Sequence, residues 1–188
     1  MDFLIRKCGP DDIDTVIRLI KTVYEQMEQK DWFAADNGEY TRKTLAEGRG
    51  TAYMAVEKES GTPAGVFMTA FPQAPGKAAL TSDGKTPEIT DDENLGRDIG
   101  LNDSMLEKVV HMDSAAVLSS FRGHHLQRRL MEYAEKDLRK KGYRYLCCTV
   151  HPDNRPSLNS VLAQGYRIMA TCPKYGGYPR HILMKELD

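Results

Sequence analysis

The chain has 188 residues, 40% hydrophobic and 28% charged, with a formal net charge of −1 at pH 7. That balance fits one globular domain and argues against nucleic acid as a partner, because nucleic-acid-binding domains are usually clearly basic. No stretch approaches the roughly 18 consecutive apolar residues of a membrane span, so no membrane partner is expected. Residues 1–6 show no basic region leading into a long apolar run, so no signal peptide is visible and a cytoplasmic location is expected. The cysteines Cys8, Cys147, Cys148 and Cys172 include no C-x-x-C pair. Free thiols and no metal site are the expectation.

In chain order, residues 3–7 read as a strand. Gly9-Pro10-Asp11-Asp12 opens a helix, with a helix-starting proline and acids in the first turn. Ile13, Val16, Ile17, Ile20, Val23, Tyr24 and Met27 keep helical spacing, which carries the helix to about residue 29. Trp32, Phe33 and Asn37-Gly38 form a connection, and a shorter helix covers 39–47. Strands at 51–57 and 64–71, joined by Ser60-Gly61-Thr62-Pro63, read as a hairpin. Residues 72–106 are rich in proline, glycine and acids and read as a long, weakly packed insertion. Within it, Thr90 and Glu93 have the spacing of a capping box. A strand at 107–118 follows, then a helix from Gly123 to about residue 141 with an apolar face of Leu126, Leu130, Tyr133, Ala134 and Leu138. A strand at 143–150, a helix at 154–164 and strands at 166–171 and 181–185 complete the chain, the last two joined by 173–179. The order of elements gives one mixed α/β domain.

The informative run is V-V-H-M-D-S-A-A-V-L-S-S-F-R-G-H-H-L-Q, residues 109–127. A strand ends there and a helix begins. The first N–H groups of a helix lack intrahelical partners, and with the helix dipole they attract phosphate. Arg122 stands just before them and can add charge-assisted hydrogen bonds.

These residues and the element order resemble the GNAT acetyltransferase superfamily over nearly the whole chain. The family's R/Q-x-x-G-x-G/A signature is matched at its start by Arg122 and Gly123, with Leu126 and Leu130 on the helix's core face. The signature's glycines are replaced by His125 and Gln127. The resemblance implies a mixed, mostly antiparallel sheet of six or seven strands flanked by about four helices. The sheet would be splayed between 107–118 and 143–150, in one domain spanning 1–188 with 72–106 as a variable insertion. It implies acetyl-CoA as co-substrate. The pyrophosphate would lie on main-chain N–H groups of Gly123, His124, His125, Leu126, Gln127 and Arg128. Strand residues Ala116, Val117 and Leu118 would receive the pantetheine arm. Asn154, Ser157 and Gly165-Tyr166 fit a second family pattern, in which the Asn contacts the cofactor; Asn is also an ordinary helix N-cap. Where many members carry a catalytic tyrosine on that helix, Val161 stands instead.

Acetyl transfer to an amine needs a proton acceptor, directly or through water, and a donor to the oxyanion. The resemblance assigns the latter to the Val117 N–H. Strand alternation places Glu107, His111 and Asp113 on one face. His111 is the candidate base, supported by Asp113, with His151 as a further histidine at a strand end. Tyr175, in the last turn, is the candidate acid. The expected acceptor is a primary amine of a small molecule or peptide, approached through Trp32, Phe33, Asp36 and the acidic insertion, which would attract a cation. A non-catalytic acyl-CoA-binding or interaction domain remains the rival reading, and a monomer and a homodimer are both open. A nucleotide-binding α/β protein would need G-x-x-x-x-G-K-[ST] or G-x-G-x-x-G after a strand, and neither occurs.

Overall fold

The strands are β1 (Phe3–Lys7), β2 (Gly50–Glu57), β3 (Pro63–Ala70), β4 (Val109–Val117), β5 (Tyr145–Val150), β6 (Arg167–Lys174) and β7 (Tyr178–Glu186) in a computed structural model, which describes residues 1–35, 37–72 and 94–188. They form one seven-stranded sheet in the order β1-β2-β3-β4-β5-β7-β6. All neighbours are antiparallel except β4 and β5. A parallel pair needs a crossover, and the helix between these strands supplies it.

The helices are α1 (Ile13–Gln26), α2 (Glu39–Ala46), α3 (Leu95–Asp98), α4 (Asp103–Leu106), α5 (Leu126–Lys140) and α6 (Arg155–Ala163). One face of the sheet is covered by α5 and α6. Leu126, Leu130, Met131, Ala134 and Leu138 of α5 and Leu158 and Val161 of α6 pack there on Tyr53, Phe67, Val110, Met112 and Leu146. On the other face, Val16, Leu19 and Ile20 of α1 meet Ala52, Met54, Val66 and Ala116. Each fully buried leucine contributes about 1.5–3 kcal/mol. Two polar anchors fix the roll of α5: the Tyr53 hydroxyl donates to Asp137 at 2.7 Å, and Glu135 takes both Tyr166 (3.2 Å) and Lys185 (2.7 Å).

The sheet and its strand count agree with the expectation, while six helices stand where about four were expected, the two additional ones lying between β3 and β4. Several boundaries move. The first helix ends at Gln26, where Met27 turns extended (ψ 135°). The Lys30 ammonium donates to the freed carbonyls of Tyr24 and Glu25, a fitting use of a cation at a helix C-terminus. The last two strands are longer than expected, so their connection shrinks to a tight turn at 175–177. Tyr175, Gly176 and Gly177 all have positive φ there.

The insertion divides in two. Residues 73–93, with the Thr90–Glu93 capping pattern, lie outside the described residues. Residues 94–106 correct the expectation of a weakly packed segment, since they build α3 and α4. Leu95 and Leu106 pack with Val109, Tyr145, Cys147 and Ile182 in a third apolar cluster. Asn94 caps α3 by accepting the Gly96 N–H, and Asn102 caps α4 by accepting the Met105 N–H. Asp98 pairs with Lys174 and Asp103 with Arg97.

Leu106→Ala should therefore destabilise the protein by about 2–5 kcal/mol, the range for emptying a closed core site. Urea unfolding measures it; a loss near zero would mean that 94–106 rests on the domain without supporting it.

Candidate active site

β4 and β5 are paired only at Val109↔Tyr145, Val110↔Leu146 and His111↔Cys147. Beyond this point β4 stays with β3, while Cys148, Thr149 and Val150 of β5 stay with β7. The sheet opens into a wedge. The Leu118 N–H donates to the Ala64 carbonyl at 3.0 Å, and backbone alternation then turns Ala116 toward β3 as well. Ala115 and Val117 direct their main-chain groups the other way, into the wedge.

The end of β4 leads through a short 3-10 turn (Ser119–Phe121) to Arg122. α5 begins at Leu126, three residues later than expected from Gly123, because the backbone does not enter the helix directly. Gly123 and His125 both have positive φ, at 84° and 54°. Alternating conformations of this kind turn successive N–H groups to one side. Among the described residues, none of the N–H groups of residues 123–128 has an acceptor. A Cβ built on Gly123 would meet nothing within 4 Å, so this main chain is open to a close ligand. The arrangement fits a pyrophosphate. His125 occupies a left-handed conformation that glycine adopts more readily, as the signature would have it. Arg122 and His125 are exposed and Gln127 is half-buried; Arg122 makes no ion pair among the described residues. His124 packs on Phe3 (ring centroids 5.2 Å), and Arg128 pairs with Glu132 at 2.8 Å. On the far side, Asn154 caps α6 by accepting the Ser157 N–H at 3.3 Å. Val161 is buried in the core and offers no hydroxyl.

Simple alternation fails within β4. Met68 pairs with Ser114 and Thr69 with Met112, leaving Asp113 as the extra residue of a bulge. Below the bulge Val110 and Met112 face α5, and above it Ala115 and Val117 do. His111 and Asp113 therefore do not form the expected pair. His111 Nε2 accepts the Leu95 N–H at 3.0 Å. Asp113 is exposed; it accepts the Tyr40 hydroxyl at 3.1 Å and the Ser114 hydroxyl at 2.8 Å. Burial, reinforced by nearby Lys174, pushes His111 from the ordinary 6.5 down to about 4.

Tyr175 stands across the wedge mouth and accepts the Thr149 hydroxyl at 3.3 Å. The residue is half exposed. Desolvation raises its pKa above the ordinary 10, and the Asp113 charge adds to the rise. His151 is buried and stacked on Trp32. Its Nδ1 accepts the Asp153 N–H at 3.2 Å, and its Nε2 lies 3.7 Å from Asp31. Beside Tyr175 is a chamber of about 280 Å³, lined among others by Tyr24, Asp31, Phe33, Tyr178 and Arg180.

Cys147 and Cys148 are buried in β5. Burial pushes the Cys147 thiol up to about 12 and Cys148 higher still, so neither is an activated nucleophile. Among the described residues no group of His, Cys, Asp and Glu is arranged to hold a metal ion, and no helix is long and apolar enough to cross a membrane.

Sequence reasoning missed Tyr40 and Arg180. Tyr40 reaches Asp113 from a helix far away in sequence, which periodicity does not show. Arg180 fell between the connection read at 173–179 and the strand read at 181–185, yet it shares the register of Ile182 in β7, where an inward charge is a signal.

The depressed His111 pKa implies a pH dependence of folding. Between about 6.5 and 4 the unfolded chain binds a proton at this residue that the native state excludes. Stability thus falls as pH drops through that window and loses nothing further from this group below it. His111→Gln keeps an acceptor for the Leu95 N–H and removes the titration. The variant should lose about 1–3 kcal/mol less than the parent between pH 7 and pH 4 in denaturant titrations. Equal losses would mean that His111 titrates normally.

A family model described as the acetyltransferase (GNAT) family matches residues 15–166. No curated protein sequence gives a match. Solved structures are similar along the whole chain. The structure of yncA, a putative acetyltransferase from Salmonella typhimurium with acetyl-CoA, has a TM-score of 0.67 at 16% identity, covering 100% of this chain and 95% of that one. Arabidopsis thaliana NAA60 in complex with acetyl-CoA has a TM-score of 0.68 at 11% identity, covering 99% of each. A chain of the NatC complex bound to Gag peptide and CoA has a TM-score of 0.67 at 15% identity, covering 100% of each. Identities this low carry the fold alone, but the family match spans most of the sequence, and the chain belongs to the GNAT acetyltransferase family.

Proposed function

We propose that the protein is an acetyl-CoA-dependent N-acetyltransferase that acetylates a primary amine of a small molecule or peptide by direct attack, without an acyl-enzyme. The observation that carries this reading is the wedge between β4 and β5, continuous with the acceptor-free N–H groups of residues 123–128. An extended pantetheine arm suits the first and a pyrophosphate the second. The similar structures named above hold acetyl-CoA or CoA, and one also holds a peptide, which supports both the co-substrate and an amine acceptor. Asn154 and Ser157, at the start of α6, are further cofactor contacts in this reading.

Acetyl-CoA supplies an activated acyl group as a thioester. The Val117 N–H, turned into the wedge, stabilises the oxyanion that develops at the carbonyl. Asp113 collects the proton of the amine, directly or through one water, with Tyr40 and Ser114 holding its carboxylate. Tyr175, kept protonated by desolvation, returns a proton to the leaving thiolate. His111 suits the base role less well than its position in sequence suggests. Its Nε2 lone pair is used by the Leu95 N–H, the proton of the neutral ring then sits on Nδ1, and a pKa of about 4 leaves little affinity for another.

Asp113→Asn and Tyr175→Phe should each lower kcat by roughly 10²–10⁴-fold while leaving acetyl-CoA affinity in place. Thiol release across an amine panel, with calorimetry for the cofactor, measures both. Cofactor binding by the parent with no turnover of any amine would favour a non-catalytic acyl-CoA-binding domain.

Gln127→Glu separates the cofactor site from general stability. A carboxylate at the first turn of α5 should stabilise the free helix by about 0.3–1 kcal/mol and repel a pyrophosphate, raising the Kd for CoA by roughly tenfold or more. Unchanged affinity alongside a raised Tm would place the phosphates elsewhere.

A further inference from the structure

The chamber beside Tyr175 contains a charge that no carboxylate among the described residues neutralises. Arg180 is only 2% exposed, although it is a charged side chain lining a cavity. Its guanidinium donates to the Pro179 carbonyl at 3.1 Å and the Asp31 carbonyl at 2.6 Å. Those partners are neutral. Among the described residues no carboxylate lies within ion-pair distance of it. The Asp31 carboxylate is turned toward His151 instead. The Tyr175 ring lies 5.7 Å from the guanidinium, a weak partner beside a full counter-charge.

An isolated buried cation is costly, and buried charges are normally paired. Two carbonyls engage only part of the guanidinium fork, whose geometry matches a carboxylate. Lys30 also lines the chamber, and its ammonium likewise donates to carbonyls, those of Tyr24 and Glu25. Against these two cations the described residues of the lining offer one carboxylate, Asp31. The volume of about 280 Å³ suits a compact molecule, and Tyr24, Phe33 and Tyr178 offer aromatic walls. Tyr175 belongs both to this chamber and to the wedge mouth, so a ligand anchored on Arg180 points toward the reacting groups.

Resting on the acetyltransferase reading, we infer that the acceptor is an amino-acid-like zwitterion, whose carboxylate pairs with Arg180 in the chamber while its amine is presented at Asp113 and Tyr175. This narrows the acceptor from any primary amine to one with a free carboxylate.

The test compares acids with their amides. Glycine, β-alanine, 4-aminobutyrate and the L-amino acids are each assayed with acetyl-CoA beside the corresponding primary amide, following thiol release. At least one acid should exceed its amide in kcat/KM by roughly 10- to 100-fold, the worth of a charge-assisted pair. Arg180→Gln should bring that ratio to within about threefold of one, mainly through KM for the acid, and Arg180→Lys should restore part of it. Amides acetylated as well as or better than acids by the parent would overturn the inference and leave the acetyltransferase reading standing. Acetylation of neither class would overturn both. A ratio unchanged in Arg180→Gln would make Arg180 only a tether between β7 and the Asp31 carbonyl. Because that tether is lost in the variant, Tm is read alongside; should the variant not fold, the acid-to-amide ratio of the parent decides.

Discussion

β4 is required to do two incompatible things: remain hydrogen-bonded to β3 along its length and leave β5 after His111. The wedge and the candidate site beside it follow from how that conflict is resolved. Each arm of the wedge is secured by its outer neighbour, β3 on one side and β7 on the other, so the opening does not unravel the sheet. The facing edges are left with main-chain donors and acceptors inside the protein, where such groups seek partners. An extended chain of amides is the natural complement. The bulge at Asp113 adds the extra residue and local twist that let β4 diverge, and it also brings a carboxylate to the opening.

The junction at the end of β4 is governed by the same geometry. A strand leaving the sheet at an angle cannot pass straight into a helix packed across it. The chain makes the corner with a 3-10 turn and two left-handed residues, Gly123 and His125. The corner aligns the N–H groups of residues 123–128. The Tyr53–Asp137 and Glu135–Tyr166–Lys185 contacts hold the body of α5 against rotation. They lie well away from the junction, yet they fix where those N–H groups aim.

Much of this architecture was legible in the sequence. The apolar spacing of α1 and α5 gave the long helices, alternation and turn residues gave the strands, and Arg122 with Gly123 marked the junction. What escaped did so for identifiable reasons. α3 and α4 are one turn each, too short for a helical period to appear, so their packing on Val109 and Ile182 was hidden inside an apparently loose insertion. Alternation counts residues and has no means of registering an inserted one, so it grouped His111 with Asp113. Arg180 was passed over because the strand was read as starting only at 181, while its guanidinium is engaged by the distant loop carbonyl of Asp31. The parts that sequence patterns missed are thus the parts made by contacts between distant segments.

The turn between β6 and β7 has a wider meaning. Tyr175 sits at φ 51°, ahead of two glycines that adopt positive φ freely. A bulky side chain in that region costs about 1–2 kcal/mol, and glycine would remove the strain. Holding a phenol at this corner therefore works against the sturdiness of the hairpin. In the proposed acetyltransferase, robustness of the hairpin and retention of a hydroxyl near Thr149 pull in opposite directions at a single position. A descendant of this sequence with glycine there would fold more firmly, and that residue alone would signal that the hydroxyl had gone out of use.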